Sequence, residues 1–254
     1  VVDLHCHIIP GLDDGPSDET EFLEMANAAI ESGITHIYAT PHHLNGRFIN
    51  TKFEILESVF KANDLLQLNN ISLFVHPGQE LRIHGGLLRS IESEEVLTLD
   101  NNESYLLIEL PASEVPPYTH NIVYELLLKG ITPIIVHPER NNIIRENPEI
   151  IYELVREGAM TQLTAGSILG FFSKKVQSFA EQMIKHHLVH FIATDAHDIK
   201  FRGFSLQYAY DHISVKYGKK SAAYFKDNAY KLMQGESLKL EDPLPIRKRF
   251  IGVF

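Results

Sequence analysis

The residue types with the most chemistry stand in two short runs near opposite ends of the chain. Val1-Val2-Asp3-Leu4-His5-Cys6-His7 is apolar and ends in His-x-His, and His190-Phe191-Ile192-Ala193-Thr194-Asp195-Ala196-His197 is apolar and ends in Asp-x-His. In an extended strand residues i and i+2 project to the same side, so His5 and His7 face one way and Cys6 the other. Imidazoles and carboxylates paired at strand ends suit a divalent-metal site. One pair alone carries little weight, because a single histidine is more often structural than a ligand.

Further apolar runs close on similar residues. His42 follows Thr40-Pro41, Glu80 follows His76-Pro77-Gly78-Gln79, Glu109 ends Tyr105–Ile108, and His137 opens His137-Pro138-Glu139-Arg140. Asp14 lies in the loop Gly11-Leu12-Asp13-Asp14-Gly15. With Asp195 and His197 this makes nine candidate ligands: His5, His7, Asp14, His42, Glu80, Glu109, His137, Asp195 and His197. At about three or four protein ligands per ion, nine with one bridging carboxylate could hold three ions. Four carboxylates against three divalent ions leave net positive charge, which attracts a phosphate dianion. The mixed nitrogen and oxygen donors suit manganese, iron or zinc, and thiolate-rich zinc sites are absent.

These residues need strands to present them. Seven main strands are expected, near residues 2, 36, 73, 106, 133, 161 and 190, with an additional short one over Val96–Leu99. Helices are expected between them. One starts at Ser17 or Asp18, has Glu19 and Glu21 in its first turn, and stops at Gly33. Another covers about 52–68 with Phe53, Leu56, Val59, Phe60 and Leu65/Leu66 on its packing face. Others cover about 87–91, 118–129, 148–157, 173–187 and 204–234. This alternation predicts an α/β fold with a parallel sheet and helices outside. An open doubly wound sheet satisfies it too, but polar clusters closing six of seven strands favour a (β/α) barrel, whose C-terminal strand ends converge on one face. No composition break divides residues 1–254, so one domain is expected. Ile246–Phe254 is read as a basic and apolar tail that docks on a partner or membrane surface or packs on its own or a neighbouring subunit.

The composition narrows the function classes. A formal charge of −10 argues against nucleic acid as the main partner. No apolar run reaches the roughly 18–20 residues of a membrane span, and no secretory pattern precedes the first strand. A single cysteine excludes an intrachain disulfide and fits a reducing cytoplasm.

The ordered set Asp3-Leu4-His5-Cys6-His7, Thr40-Pro41-His42, Gly78-Gln79-Glu80, Ile108-Glu109, His137-Pro138-Glu139-Arg140 and Thr194-Asp195-Ala196-His197 resembles the motifs of the PHP (polymerase and histidinol phosphatase) superfamily. Gly11–Gly15 and the overall spacing resemble the bacterial tyrosine-protein phosphatases of capsule and exopolysaccharide operons, the CpsB/YwqE type. The resemblance implies a distorted seven-stranded (β/α) barrel with a trinuclear centre, typically manganese. It implies that His5, His7 and Asp195 hold one ion and share Glu80 with a second, that Glu109 and His137 complete the second, and that Asp14, His42 and His197 hold the third. It implies phosphotyrosine hydrolysis on a bacterial tyrosine kinase with a tyrosine-rich tail, or on its substrates, in polysaccharide export control.

Two metals about 3.5–4 Å apart can share a hydroxide nucleophile and clamp an in-line displacement. Arg140 and Arg202 match phosphate-contacting arginines of the subgroup, and Arg47 is a weaker third candidate. Asp198 or a metal-bound water is expected to protonate the leaving group. Cys6 fails as a thiol nucleophile, since that chemistry needs an arginine where Leu12 stands, and it is expected to pack in the core. Rival readings are a small-molecule phosphatase such as histidinol-phosphatase, a phosphodiesterase or exonuclease, and a non-catalytic metal-binding regulator.

Overall fold

Short apolar strands separated by amphipathic helices dictate the layering, and in the computed structural model, which describes residues 1–247, nine short strands run parallel with helices around them. Strands β1 (Val2–Cys6), β2 (His36–Ala39) and β4 (Phe74–Pro77) form one sheet in the order β1-β2-β4. Strands β3 (His42–His43), β5 (Glu80–Arg82), β6 (Tyr105–Glu109), β7 (Thr132–Val136), β8 (Met160–Thr164) and β9 (Phe191–Ala193) form the other, in that order. Two of the seven expected strand positions are therefore broken, β2 from β3 at Thr40-Pro41 and β4 from β5 at Gly78-Gln79. A proline has no N–H to give a ladder, and Gly78 packs so closely that an added Cβ would lie 2.8 Å from Leu99.

The two sheets do not close into one ladder. Past the end of β9 the chain nevertheless bonds to β1, His7 N donating to Ala196 O at 2.9 Å and Asp195 N to His5 O at 2.8 Å. Inward side chains from both sheets (Val2, Leu4, Tyr38, Leu107, Ile134, Val136, Met160 and Phe191) meet in one apolar cluster. A larger cluster lies between the strands and the helices and includes Cys6, Ile37, Ile108, Ile135 and Ile192.

The helices obey their caps. Helix α1 (Glu19–Glu31) starts where Asp18 accepts Thr20 N at 2.9 Å and Glu21 N at 3.0 Å. Helix α2 (Lys52–Leu68) opens with a Thr51/Glu54 capping box. Its buried face is Ile55, Val59, Ala62 and Leu66, so Val59 and Leu66 of the expected face pack inward while Phe53 and Phe60 turn outward, 74% and 68% exposed. Both sets have helical spacing, and the packing partner selects between them. The expected strand Val96–Leu99 is absent. There the chain is held by Leu97 N donating to Gln79 Oε1 at 3.1 Å and then turns through Asp100 and Asn101 at positive φ. Helices α3 (Leu87–Glu92), α4 (Thr119–Leu128), α6 (Glu149–Glu157) and α8 (Lys174–Lys185) stand where expected, and two short ones, α5 (Asn142–Glu146) and α7 (Ala165–Leu169), are additional. The expected 204–234 helical stretch divides at Gly218 into α9 (Leu206–Tyr217) and α10 (Lys219–Met233). Of the tail, residues 248–254 lie outside the described residues, and Ile246 is buried. No helix among the described residues is long and apolar enough to cross a membrane.

Asp3 ties β1 to the end of β9. It is fully buried, its Oδ1 accepts Thr194 N at 2.9 Å, and its Oδ2 accepts the Thr194 hydroxyl. Asp3→Ala leaves that N–H and hydroxyl buried without an acceptor and is expected to cost about 2–3 kcal/mol in urea unfolding. A loss under 1 kcal/mol would mean that this strand end is held by other contacts.

Candidate metal and phosphate site

Each candidate ligand reaches the C-terminal side of the strands by a local device. A register shift between Asp3 and Cys6 puts Leu4 in the inner cluster and still lets His5 and His7 point inward, while Cys6 packs outward. The Asp13-Asp14-Gly15 loop folds back onto β1 so tightly that a Cβ on Gly15 would lie 2.1 Å from His7 O. His42 and Glu80 ride on the detached strands β3 and β5, where they are register partners. Glu109 ends β6 on the inward side of Leu107. His137 and Asp195 follow their strands in left-handed conformations, φ 37° and 53°, which turn each side chain back over the sheet.

The nine residues converge. Glu80 Oε2 lies 3.4 Å from His5 Nε2, 3.3 Å from His7 Nε2 and 2.8 Å from His42 Nδ1, and Glu80 Oε1 lies 2.7 Å from His137 Nε2. Asp195 Oδ1 is 3.5 Å from His5 Nε2 and 3.4 Å from His7 Nε2. Asp14 Oδ1 is 3.3 Å from His197 Nε2 and 3.6 Å from His42 Nε2. Three groupings have donor atoms mutually close enough for one ion, namely His7/Asp14/His42/His197, His5/His7/Glu80 and His42/Glu80/Glu109. His42 thus stands between two groupings, with Nδ1 toward the two glutamates and Nε2 toward Asp14.

The donor set fits metal ions. Backbone oxygens only accept, so His197 Nδ1, 3.0 Å from Asp195 O, carries the proton and leaves Nε2 as the free lone pair facing Asp14. His7 Nδ1 donates likewise to Asp13 Oδ2 at 2.5 Å and His5 Nδ1 to Gln162 Oε1 at 2.9 Å, so both Nε2 lone pairs point into the cluster. Among the described residues, His42 Nδ1, Glu80 Oε2 and His197 Nε2 are buried with no aligned hydrogen-bond partner. Buried polar atoms left so are costly, and cations held by these groupings would satisfy them.

Burial pulls the His5 and His7 pKa values down, but Glu80 and Asp195 around His5 and Asp13 beside His7 outweigh it and raise both, so an incoming ion would displace a proton from each ring. Burial pushes the Glu80 carboxyl up, but His5 and His42 outweigh it and hold the group well below the usual range. Burial likewise opposes ionisation of Asp195, and Arg140 and His5 overcome it. Glu109 is raised, by burial and then by Glu80 beside it. His137 is pushed down to about 4 by burial and by Arg140, so it is a neutral imidazole at neutral pH, the form that ligates.

A cavity of 360 Å³ opens over Glu80, Glu109, His137 and Asp195, walled by Arg140, Arg202 and Phe172. Arg140 Nη2 and Arg202 Nη2 each lie 2.7 Å from Asp195 Oδ2, and the Arg140 guanidinium stacks 5.1 Å from the centre of the Phe172 ring. Arg47 is exposed and stacks on Phe48. Asp198 is placed as a turn former, since its Oδ1 accepts Lys200 N and Phe201 N, both at 2.6 Å. Burial raises its pKa, but these backbone bonds outweigh that and keep it low.

Sequence reasoning passed over Asp13, Gln162, Arg82 and Phe172. Asp13 stood beside Asp14 in the same loop. Gln162 was a lone amide inside the apolar strand β8. Arg82, whose Nε is 2.8 Å from Glu109 Oε2, is two residues from Glu80 and so on its face of β5. Phe172 gave no signal, because its place depends on the fold of the loop after β8. Removing Asp13 frees the His7 ring, so Asp13→Ala is expected to weaken manganese binding about 10- to 100-fold in a calorimetric titration with circular dichroism unchanged. Unaltered affinity would reduce Asp13 to a loop contact.

The family model described as capsular polysaccharide synthesis, CpsB/CapC, matches residues 1–234. The tyrosine-protein phosphatase YwqE of Bacillus subtilis is 40% identical over 249 residues, 98% of each chain. A chain from the crystal structures of YwqE from Bacillus subtilis and CpsB from Streptococcus pneumoniae, metal-dependent tyrosine phosphatases, superposes with a TM-score of 0.94 at 39% identity, covering 98% of this chain and 100% of that one. A histidinol phosphate phosphatase from Lactococcus lactis shares the fold alone, with a TM-score of 0.54 at 15% identity over 88% of this chain and 94% of that one. With its family model matched over most of its length and a relative at 40% identity, the chain belongs to the CpsB/CapC family.

Proposed function

We propose that this chain is a metal-dependent phosphatase that hydrolyses phosphotyrosine in proteins. One observation carries the reading: a single cavity is lined by five of the nine clustered donors (His42, Glu80, Glu109, His137 and Asp195), two arginines and an aromatic wall. The family relatives named tyrosine-protein phosphatases support it. Divalent ions held by the cluster would lower the pKa of water and neutralise charge on the phosphoryl group.

The chain's own groups do the rest. Arg140 and Arg202 present planar donor forks to phosphoryl oxygens, and their pairing with Asp195 keeps them aimed before substrate arrives. Phe172 offers a flat apolar wall to a phenyl ring. A phenolate leaving group has a pKa near 10 and needs little help from an acid. We therefore assign Asp198 to shaping the turn that carries Arg202, not to proton donation, because an ionised carboxylate has no proton to give.

We infer three ions, manganese first and iron or zinc as substitutes. His5, His7 and Asp195 would share Glu80 with Glu109 and His137, and Asp14, His42 and His197 would hold the third. We read the two sheets as a distorted seven-position (β/α) barrel opened at Pro41 and Gly78, and residues 1–254 as a single phosphatase domain. A cytoplasmic setting, and a bacterial tyrosine kinase or its substrates in capsule or exopolysaccharide control, fit the family.

With manganese, phosphate release from phosphotyrosyl peptides is expected to exceed that from phosphoserine peptides or histidinol phosphate, and a chelator should abolish it. Equal or reversed preference would sink the tyrosine assignment. Arg140→Ala should bind manganese normally but weaken inhibition by inorganic phosphate about 10- to 100-fold, whereas normal phosphate inhibition would remove Arg140 from the site. Cys6→Ser should stay active, and an inactive, folded, metal-replete variant would restore a thiol mechanism.

A further inference from the structure

We propose that a basic groove beside the cavity docks an acidic segment of the substrate protein, flanking its phosphotyrosine. The inference rests on the phosphotyrosine reading and adds the chemistry of the surrounding peptide. The groove, of 840 Å³, is lined by Arg145, Lys174, Lys175 and Arg247, with Glu146 the one acidic side chain in its wall among the described residues. Four cations against one anion is a local inversion in a chain of formal charge −10. An acidic peptide is drawn to such a place against the repulsion of the chain's overall negative charge.

The groove and the cavity are lined by neighbouring residues at two points of the chain. Asn141 lines the cavity and Asn142 the groove, while Phe172 walls the cavity two residues before Lys174 enters the groove. Arg145 is held in position, its Nη1 donating to the backbone oxygen of Glu139 at 2.8 Å and its Nη2 contacting the Asn142 side chain. A peptide whose phosphotyrosine passes Phe172 therefore lays its neighbouring residues along these cations. The lysines also contradict local stability. Lys174 and Lys175 open α8, where the helix dipole favours carboxylates, so helix formation does not account for them, and charge recognition does.

The test uses the full chain loaded with manganese. Three substrates are compared: para-nitrophenyl phosphate, a neutral phosphotyrosyl peptide, and the same peptide with aspartates flanking the phosphotyrosine. The acidic peptide is expected to have about tenfold higher kcat/KM than the neutral one, and added salt should erase the difference. Lys174→Glu/Lys175→Glu should remove the preference with para-nitrophenyl phosphate turnover unchanged. Equal kcat/KM for the two peptides, or a preference that survives the double reversal, overturns the proposal. So does phosphatidylserine vesicle binding that the two lysines control in the absence of any peptide preference. If no phosphotyrosyl substrate is turned over, the phosphatase reading fails. The groove is then read separately by fluorescence anisotropy of the aspartate-rich peptide lacking phosphate. Binding lost in the double variant supports the groove, and no binding to the wild type refutes it.

Discussion

Glu80 is the constraint on which the site depends. Its carboxylate has no exposed surface, and four imidazoles (His5, His7, His42 and His137) lie within 3.4 Å of its two oxygens. Burying a carboxylate costs several kcal/mol unless opposite charge surrounds it, so the group holds only if strands β1, β3 and β7 all deliver their histidines to the Glu80 of β5. The broken strands serve this requirement. Pro41 and Gly78 interrupt the ladders, and the detached pieces β3 and β5 pair with each other so that His42 and Glu80 sit side by side.

Around that centre the fold spends polar groups on orientation. Asp13, Gln162 and the Asp195 carbonyl each take a ring N–H from one histidine, and each thereby aims a lone pair inward. Asp3 and Thr194 fasten the strand ends that carry His5 and Asp195. Gly15 lets the Asp13-Asp14 loop lie against the His7 carbonyl, which no larger residue permits. These contacts involve no ligand atom of the opposite grouping, yet each fixes one.

The charge distribution separates two tasks. Carboxylates and imidazoles collect where cations would sit, while Arg140 and Arg202 stand on the cavity side of Asp195, where an anion would arrive. Lys174, Lys175 and Arg145 continue the positive face outward, in a chain of formal charge −10. The aromatic ring of Phe172 lies at the border, stacked on Arg140 and open to the cavity.

Much of this was legible in the chain itself. The seven strand positions, most of the helices, and all nine convergent side chains follow from local rules, because apolar runs, caps and strand-end clusters are encoded within a few neighbouring residues. The tertiary structure decided what depends on a distant partner. It chose which apolar face of α2 is buried, since two faces had helical spacing and only the neighbouring elements distinguish them. It divided two strands and left the sheets as two ladders, because a proline or glycine reads as a strand end whether or not pairing resumes beyond it. It moved Asp198 into a turn and brought Asp13, Gln162 and Phe172 to the site. Local sequence determined which residues could do chemistry, and only long-range packing decided which atoms meet, because a lone pair is aimed by a partner that is often more than a hundred residues away, as Gln162 is from His5.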